Sequence, residues 1–123
     1  MTTRVLIVDD EPSIVISLEF LLKREGFEVS VARDGQEGLT AIRDQHPDLV
    51  VLDVMMPKLD GFAVLEAVRA DPDLAATRVL MLTAKGRDTE VSKGLALGAD
   101  AYVTKPFSTK DLVAQIRQLL GLG

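Results

Sequence analysis

Marked side chains stand where short apolar runs stop. Val5-Leu6-Ile7-Val8 leads into Asp9-Asp10, Leu49-Val50-Val51-Leu52 into Asp53, Val79-Leu80-Met81-Leu82 into Thr83, and Ala101-Tyr102-Val103 towards Lys105. A carboxylate held in apolar surroundings costs free energy unless a charged group or a metal meets it. Carboxylates sharing one pocket repel each other unless a cation sits among them. Oxygen donors without His or Cys select Mg²⁺ or a similar hard ion, which keeps several waters and so leaves room for a phosphate oxygen. A lysine adds a compact positive charge suited to phosphate, and a threonine adds a hydroxyl. If these groups meet, the chemistry is phosphoryl transfer: Asp53 attacks, and the cations neutralise charge on the transferring oxygens.

Meeting requires a fold that brings the ends of those runs together. Arg4 to Val8 reads as a strand, and Pro12 opens a helix with the stripe Ile14, Leu18, Leu21 and Leu22 that Gly26 ends. Glu28 to Ala32 is a second strand. Asp34 caps a helix carrying Leu39 and Ile42, which ends before Pro47. Leu49 to Asp53 is apolar enough to be buried on both faces. Asp60 caps a helix bearing Phe62, Leu65 and Val68, closed by Asp71-Pro72. Arg78 to Leu82 is a fourth strand. A helix over 87–97 is weak, because Thr89, Ser92 and Gly94 are middling or poor helix formers. Residues 101–103 form a fifth strand, and Ser108 or Thr109 caps a last helix with Leu112, Ile116, Leu119 and Leu120.

Strict alternation of apolar strands with helices predicts an α/β fold: a single doubly wound five-stranded parallel sheet, order 2-1-3-4-5, with helices on both faces. In that order every marked residue lies on the carboxyl edge of the sheet, where ligands bind. The chain of 123 residues reads as one domain. It has no cysteine, which excludes a disulfide framework and a Cys-based zinc site. A net charge of −5 argues against direct nucleic-acid binding. No apolar run approaches the roughly 20 residues of a membrane helix, and the N-terminus lacks a signal-peptide shape, so the expectation is a cytoplasmic protein without a membrane partner.

Together, Asp9-Asp10, Asp53-Val54-Met55-Met56-Pro57, Gly61, Thr83-Ala84 and Lys105-Pro106 resemble the receiver domain of two-component response regulators, over the whole of 1–123 and with the topology of flavodoxin and CheY. The resemblance implies that Asp53 is the phospho-acceptor. It implies that Asp10, Asp53 and the backbone carbonyl of Met55 bind Mg²⁺, with Asp9 acting through water, and that Thr83 and Lys105 hold the phosphoryl group. It implies a cis Lys105–Pro106 bond. It also implies a switch in which Thr83 moves inward, Tyr102 follows, and the 87–120 face meets an output partner or attached effector. The donor would be a sensor histidine kinase or a phosphotransfer protein, since the single histidine, His46, sits at a helix end.

The chain departs from winged-helix-linked receivers at Val91, Ala101 and Gln115, which leaves Asp100 with Arg117 as one charge pair and predicts a monomer or weak dimer. Met55 and Lys85, two residues beyond Asp53 and Thr83, offer no group to position an attacking water, so slow self-dephosphorylation is expected. Competing readings are a stand-alone phosphorelay intermediate, an aspartate-dependent phosphatase, a flavodoxin-like cofactor binder and a receiver that is never phosphorylated. In the preferred reading the chain is no enzyme beyond catalysing its own phosphorylation and dephosphorylation.

Overall fold

The computed structural model describes residues 2–56, 58–84 and 87–122. Strands and helices alternate: β1 (Arg4–Val8), α1 (Pro12–Arg24), β2 (Glu28–Ala32), α2 (Gly35–Gln45), β3 (Leu49–Asp53), α3 (Gly61–Ala70), β4 (Arg78–Ala84), α4 (Asp88–Ala96), β5 (Ala101–Lys105) and α5 (Thr109–Leu119). A 3-10 turn, Pro72–Leu74, follows α3. The sheet is parallel throughout, in the order β2-β1-β3-β4-β5.

Local chemistry sets the helix starts. Asp34 accepts the Glu37 N–H at 2.8 Å and Asp60 the Ala63 N–H at 2.9 Å. Ser108, rather than Thr109, caps α5 by accepting the Asp111 N–H. Each such cap contributes about 1 kcal/mol. Pro12 occupies the first turn of α1, where its missing N–H is no loss.

Alternation along the strands divides the core in two. Val5, Ile7, Leu49, Val51, Leu80, Leu82 and Val103 face α1 and α5. Leu6, Val8, Val50, Leu52, Val79 and Met81 face α2 and α3. Burying each such side chain contributes about 1.5–3 kcal/mol. The parity also decides which polar residues meet. Asp9, Asp53 and Lys105 continue the α1/α5 side of their strands; Thr83 and Tyr102 fall on the opposite side, in the register Met81↔Tyr102 and Thr83↔Thr104.

β4 runs on to Ala84 and β5 to Lys105, beyond the expected 78–82 and 101–103, because their ladder continues through Thr83↔Thr104 and Ala84↔Lys105. In α4 only Gly94 is buried, and Arg87, its N-cap residue, makes no side-chain capping bond among the described residues. Among the described residues, no helix is long and apolar enough to cross a membrane.

Candidate phosphoryl-transfer site

Register places Val8 beside Leu52, so Asp9 and Asp53, each one residue further on, emerge side by side. Asp9 is fully buried and Asp53 is 5% exposed, whereas Asp10 faces solvent. Carboxylate oxygens of Asp9, Asp10 and Asp53 lie within 4.8 Å of one another. Gly61 makes this packing possible: its N–H donates to the Val54 carbonyl at 3.0 Å, and a Cβ there would overlap the Asp53 carbonyl oxygen. Met55 turns its N–H back onto Asp53 Oδ1 at 3.4 Å while its side chain stays exposed.

Lys105 arrives from β5. Its Nζ lies 3.4 Å from Asp53 Oδ1, 3.1 Å from Asp9 Oδ2 and 3.0 Å from Glu11 Oε1. The contact with Glu11 is a directed hydrogen bond. The contact with Asp9 is an ion pair, and among the described residues Asp9 Oδ2 accepts no aligned hydrogen bond besides it. Thr83 Oγ1 is also buried and has no hydrogen-bond partner among the described residues. Buried polar atoms without partners are costly, and a phosphoryl oxygen, an ion or an ordered water would relieve that cost.

The electrostatics agree. Burial, and then the Asp9 charge beside it, push the Asp53 carboxyl up to about 6, against the pull of Lys105 and the Met55 N–H. For Lys105, burial opposes the charge, but Glu11, Asp53 and Asp9 outweigh it and its pKa is raised. The residues fit a hard divalent cation: the donors are oxygen only, three carboxylates converge, and one ammonium leaves their charge incompletely balanced.

Of the residues expected from sequence, Asp9, Asp10, Asp53 and Lys105 converge, Met55 abuts Asp53, and Thr83 is the last residue but one of the adjacent strand β4. Tyr102 is 42% exposed on the Thr83 side of the sheet. The Lys105–Pro106 bond is cis, as the resemblance implied. Lys85 and Pro57 lie outside the described residues. Asp100, expected to pair with Arg117, is engaged within its own chain. Its Oδ2 already accepts Arg69 and the Val79 N–H, each at 2.8 Å. Glu11 was not foreseen as a Lys105 partner. The available signal was its place as N-cap before Pro12, a position glutamate does not favour.

The family model of the response regulator receiver domain matches residues 5–117. The DNA-binding response regulator MtrA of Mycolicibacterium smegmatis is 46% identical over 120 residues, 98% of this chain and 51% of that protein. The chain spans about half the length of the curated relatives it matches. Among solved structures, the chemotaxis response regulator CheY4 of Vibrio cholerae superposes with a TM-score of 0.90 at 33% identity, covering 97% of this chain and 99% of that one. The receiver domain of sensor histidine kinase PA1611 of Pseudomonas aeruginosa, with a magnesium ion in its active-site cleft, gives a TM-score of 0.90 at 25% identity, covering 98% and 99%. These relatives correct one expectation. An absence of nucleic acid among the partners does not stand, because similar proteins are DNA-binding regulators. The net charge of −5 describes these 123 residues alone, about half of such a protein.

Proposed function

Because the chain belongs to the response regulator receiver domain family, we propose that it is a phosphorylation switch that takes a phosphoryl group onto Asp53 from the phosphohistidine of a sensor kinase or phosphotransfer protein. The observation that carries this reading is the meeting of buried Asp9 and Asp53 with the half-buried Lys105 at the carboxyl edge of the sheet. An Asp53 carboxylate oxygen attacks phosphorus, an O–P bond forms, and the N–P bond of the donor breaks. The histidine nitrogen keeps the electron pair and takes a proton from solvent. Lys105 passes from the carboxylates to a phosphoryl oxygen, and the unpartnered Thr83 hydroxyl donates to another. Asp9, Asp10, Asp53 and the Met55 carbonyl would hold Mg²⁺, which supplies charge neutralisation during transfer. The magnesium ion in the similar PA1611 receiver supports that choice.

The chemistry is confined to the chain's own Asp53, so it is no enzyme towards other substrates. Readout runs through α4, β5 and α5. With Thr83 drawn to the phosphoryl group, Tyr102, on the same side of the sheet, turns into the space released. The poorly capped α4 yields first. The changed 87–120 face then controls an effector, and the DNA-binding relatives support a DNA-binding one. A cytoplasmic setting follows from a kinase donor.

The test is intact-mass measurement after incubation with a small phosphodonor. Wild type with Mg²⁺ gains one phosphoryl group, and wild type without metal or Asp53→Asn with metal does not. Equal gain by Asp53→Asn contradicts the reading.

A further inference from the structure

Glu11 stands as N-cap of α1, yet its carboxylate makes no capping bond to the helix. It reaches instead to Lys105, at the end of β5 and 94 residues away in sequence, at 3.0 Å. Its backbone N–H donates to Asp9 Oδ1 at 2.9 Å, so Glu11 is tied to the same carboxylate that shares Lys105 with it. Glu11 is 55% exposed at the pocket mouth, while Asp9 and Asp53 lie within. One ammonium thus sits on three carboxylates, two inside the proposed metal pocket and one outside. A dication held by Asp9, Asp10 and Asp53 would compete with that ammonium for Asp9 Oδ2 and Asp53 Oδ1. Of the three carboxylates, Glu11 alone lies outside that oxygen set.

We propose that Glu11 is a positioning residue that gives Lys105 a second seat, so that Asp9 and Asp53 can take a dication without driving the ammonium into solvent. The inference rests on the metal reading above. Glu11 touches neither phosphoryl group nor metal and acts through Lys105 alone. The bland alternative is a long-range one: Glu11 adds negative charge near the pocket and attracts any cation, whatever Lys105 does.

A double-mutant cycle separates the two. Mg²⁺ binding is measured by isothermal titration calorimetry on the metal-free chain, in wild type, Glu11→Gln, Lys105→Met and the double variant. Glu11→Gln is expected to weaken Mg²⁺ binding by about threefold to fivefold, the scale of a partly exposed ion pair. In the Lys105→Met background the same change is expected to alter it less than about twofold, within ordinary additivity error. An equal loss in both backgrounds, or no loss in either, overturns the proposal while leaving the metal site standing. No binding by wild type overturns both. Should Lys105→Met fail to fold, the Lys105 Cε resonance gives the answer in folded protein. On adding MgCl₂ it is expected to stay at a carboxylate-bound position in wild type and to move to that of a solvated lysine in Glu11→Gln. Identical movement in the two proteins overturns the proposal.

Discussion

Arg69 Nη2 donates to Asp100 Oδ2 at 2.8 Å, and this pair fastens the end of α3 to the start of both β4 and β5. The rest of the guanidinium is used too: Nε donates to the Gly98 carbonyl at 2.9 Å and Nη1 to the Thr77 carbonyl at 2.8 Å. Gly98 has a φ of +107°, and a Cβ there would press on the Arg69 side chain. The turn after α4 is therefore locked, while at the other end of α4 Arg87 makes no side-chain capping bond among the described residues. Arg69→Met leaves a mostly buried carboxylate and two carbonyls short of donors. The expected loss is about 1.5–3 kcal/mol, read from urea unfolding of variant and wild type. A change below about 0.5 kcal/mol, the range of ordinary surface substitutions, would deny the clamp its structural role.

Gly61 is the residue on which the Asp53 loop closes. A methyl group there has no space against the Asp53 carbonyl and the Val54 Cα. Gly61→Ala is expected to displace that loop, lower stability by about 1–3 kcal/mol, and slow phosphorylation. Unfolding curves together with the intact-mass assay check both parts. Wild-type stability and wild-type phosphorylation rate would show that the loop yields freely.

Asp53 carries a penalty in the metal-free protein. Its folded pKa is about 6 against an ordinary value of 3.8, so the folded chain binds this proton more tightly than the unfolded chain. The cost is full above pH 6 and is relieved as the pH falls from about 6 towards 4. Asp53→Asn, measured without metal, is expected to be more stable than wild type at pH 7.5, by on the order of 2 kcal/mol. The gap should narrow as the pH approaches 4.5. A less stable variant at pH 7.5, or a gap that ignores pH, contradicts a penalty set by burial of Asp53 and then by the Asp9 charge.

Tyr102 offers an unusually clean reporter, because the chain has one tyrosine and no tryptophan. At 42% exposure the ring is open to an iodide quencher in the unphosphorylated state. Phosphorylation is expected to reduce quenching as the ring turns in, and Thr83→Ala is expected to abolish that reduction. Unchanged quenching on phosphorylated wild type removes Tyr102 from the switch.

Much of this was legible in the chain itself. Apolar runs, each ending in Asp, Thr or Lys, report a buried parallel sheet whose carboxyl edge carries the chemistry, because both facts are local in sequence. Strand ends were less legible: Thr83 and Ala84 are held in β4 by pairing with Thr104 and Lys105, and no local pattern encodes a partner strand. Glu11 and Arg69 lay beyond reading for a similar reason. Each looks like an ordinary surface charge until the fold delivers Lys105 to one and Asp100 to the other. The nucleic-acid expectation failed differently, since charge bounds only the residues counted.

The central claim is that Asp53 itself forms the bond to phosphorus. Borohydride reduces an acyl phosphate to an alcohol and leaves free carboxylates untouched, so a phosphorylated aspartate becomes homoserine. Peptide sequencing after phosphorylation and reduction is expected to find homoserine at position 53 and aspartate at positions 9 and 10. Homoserine at any other position, or a phosphorylated chain that yields none, would contradict it.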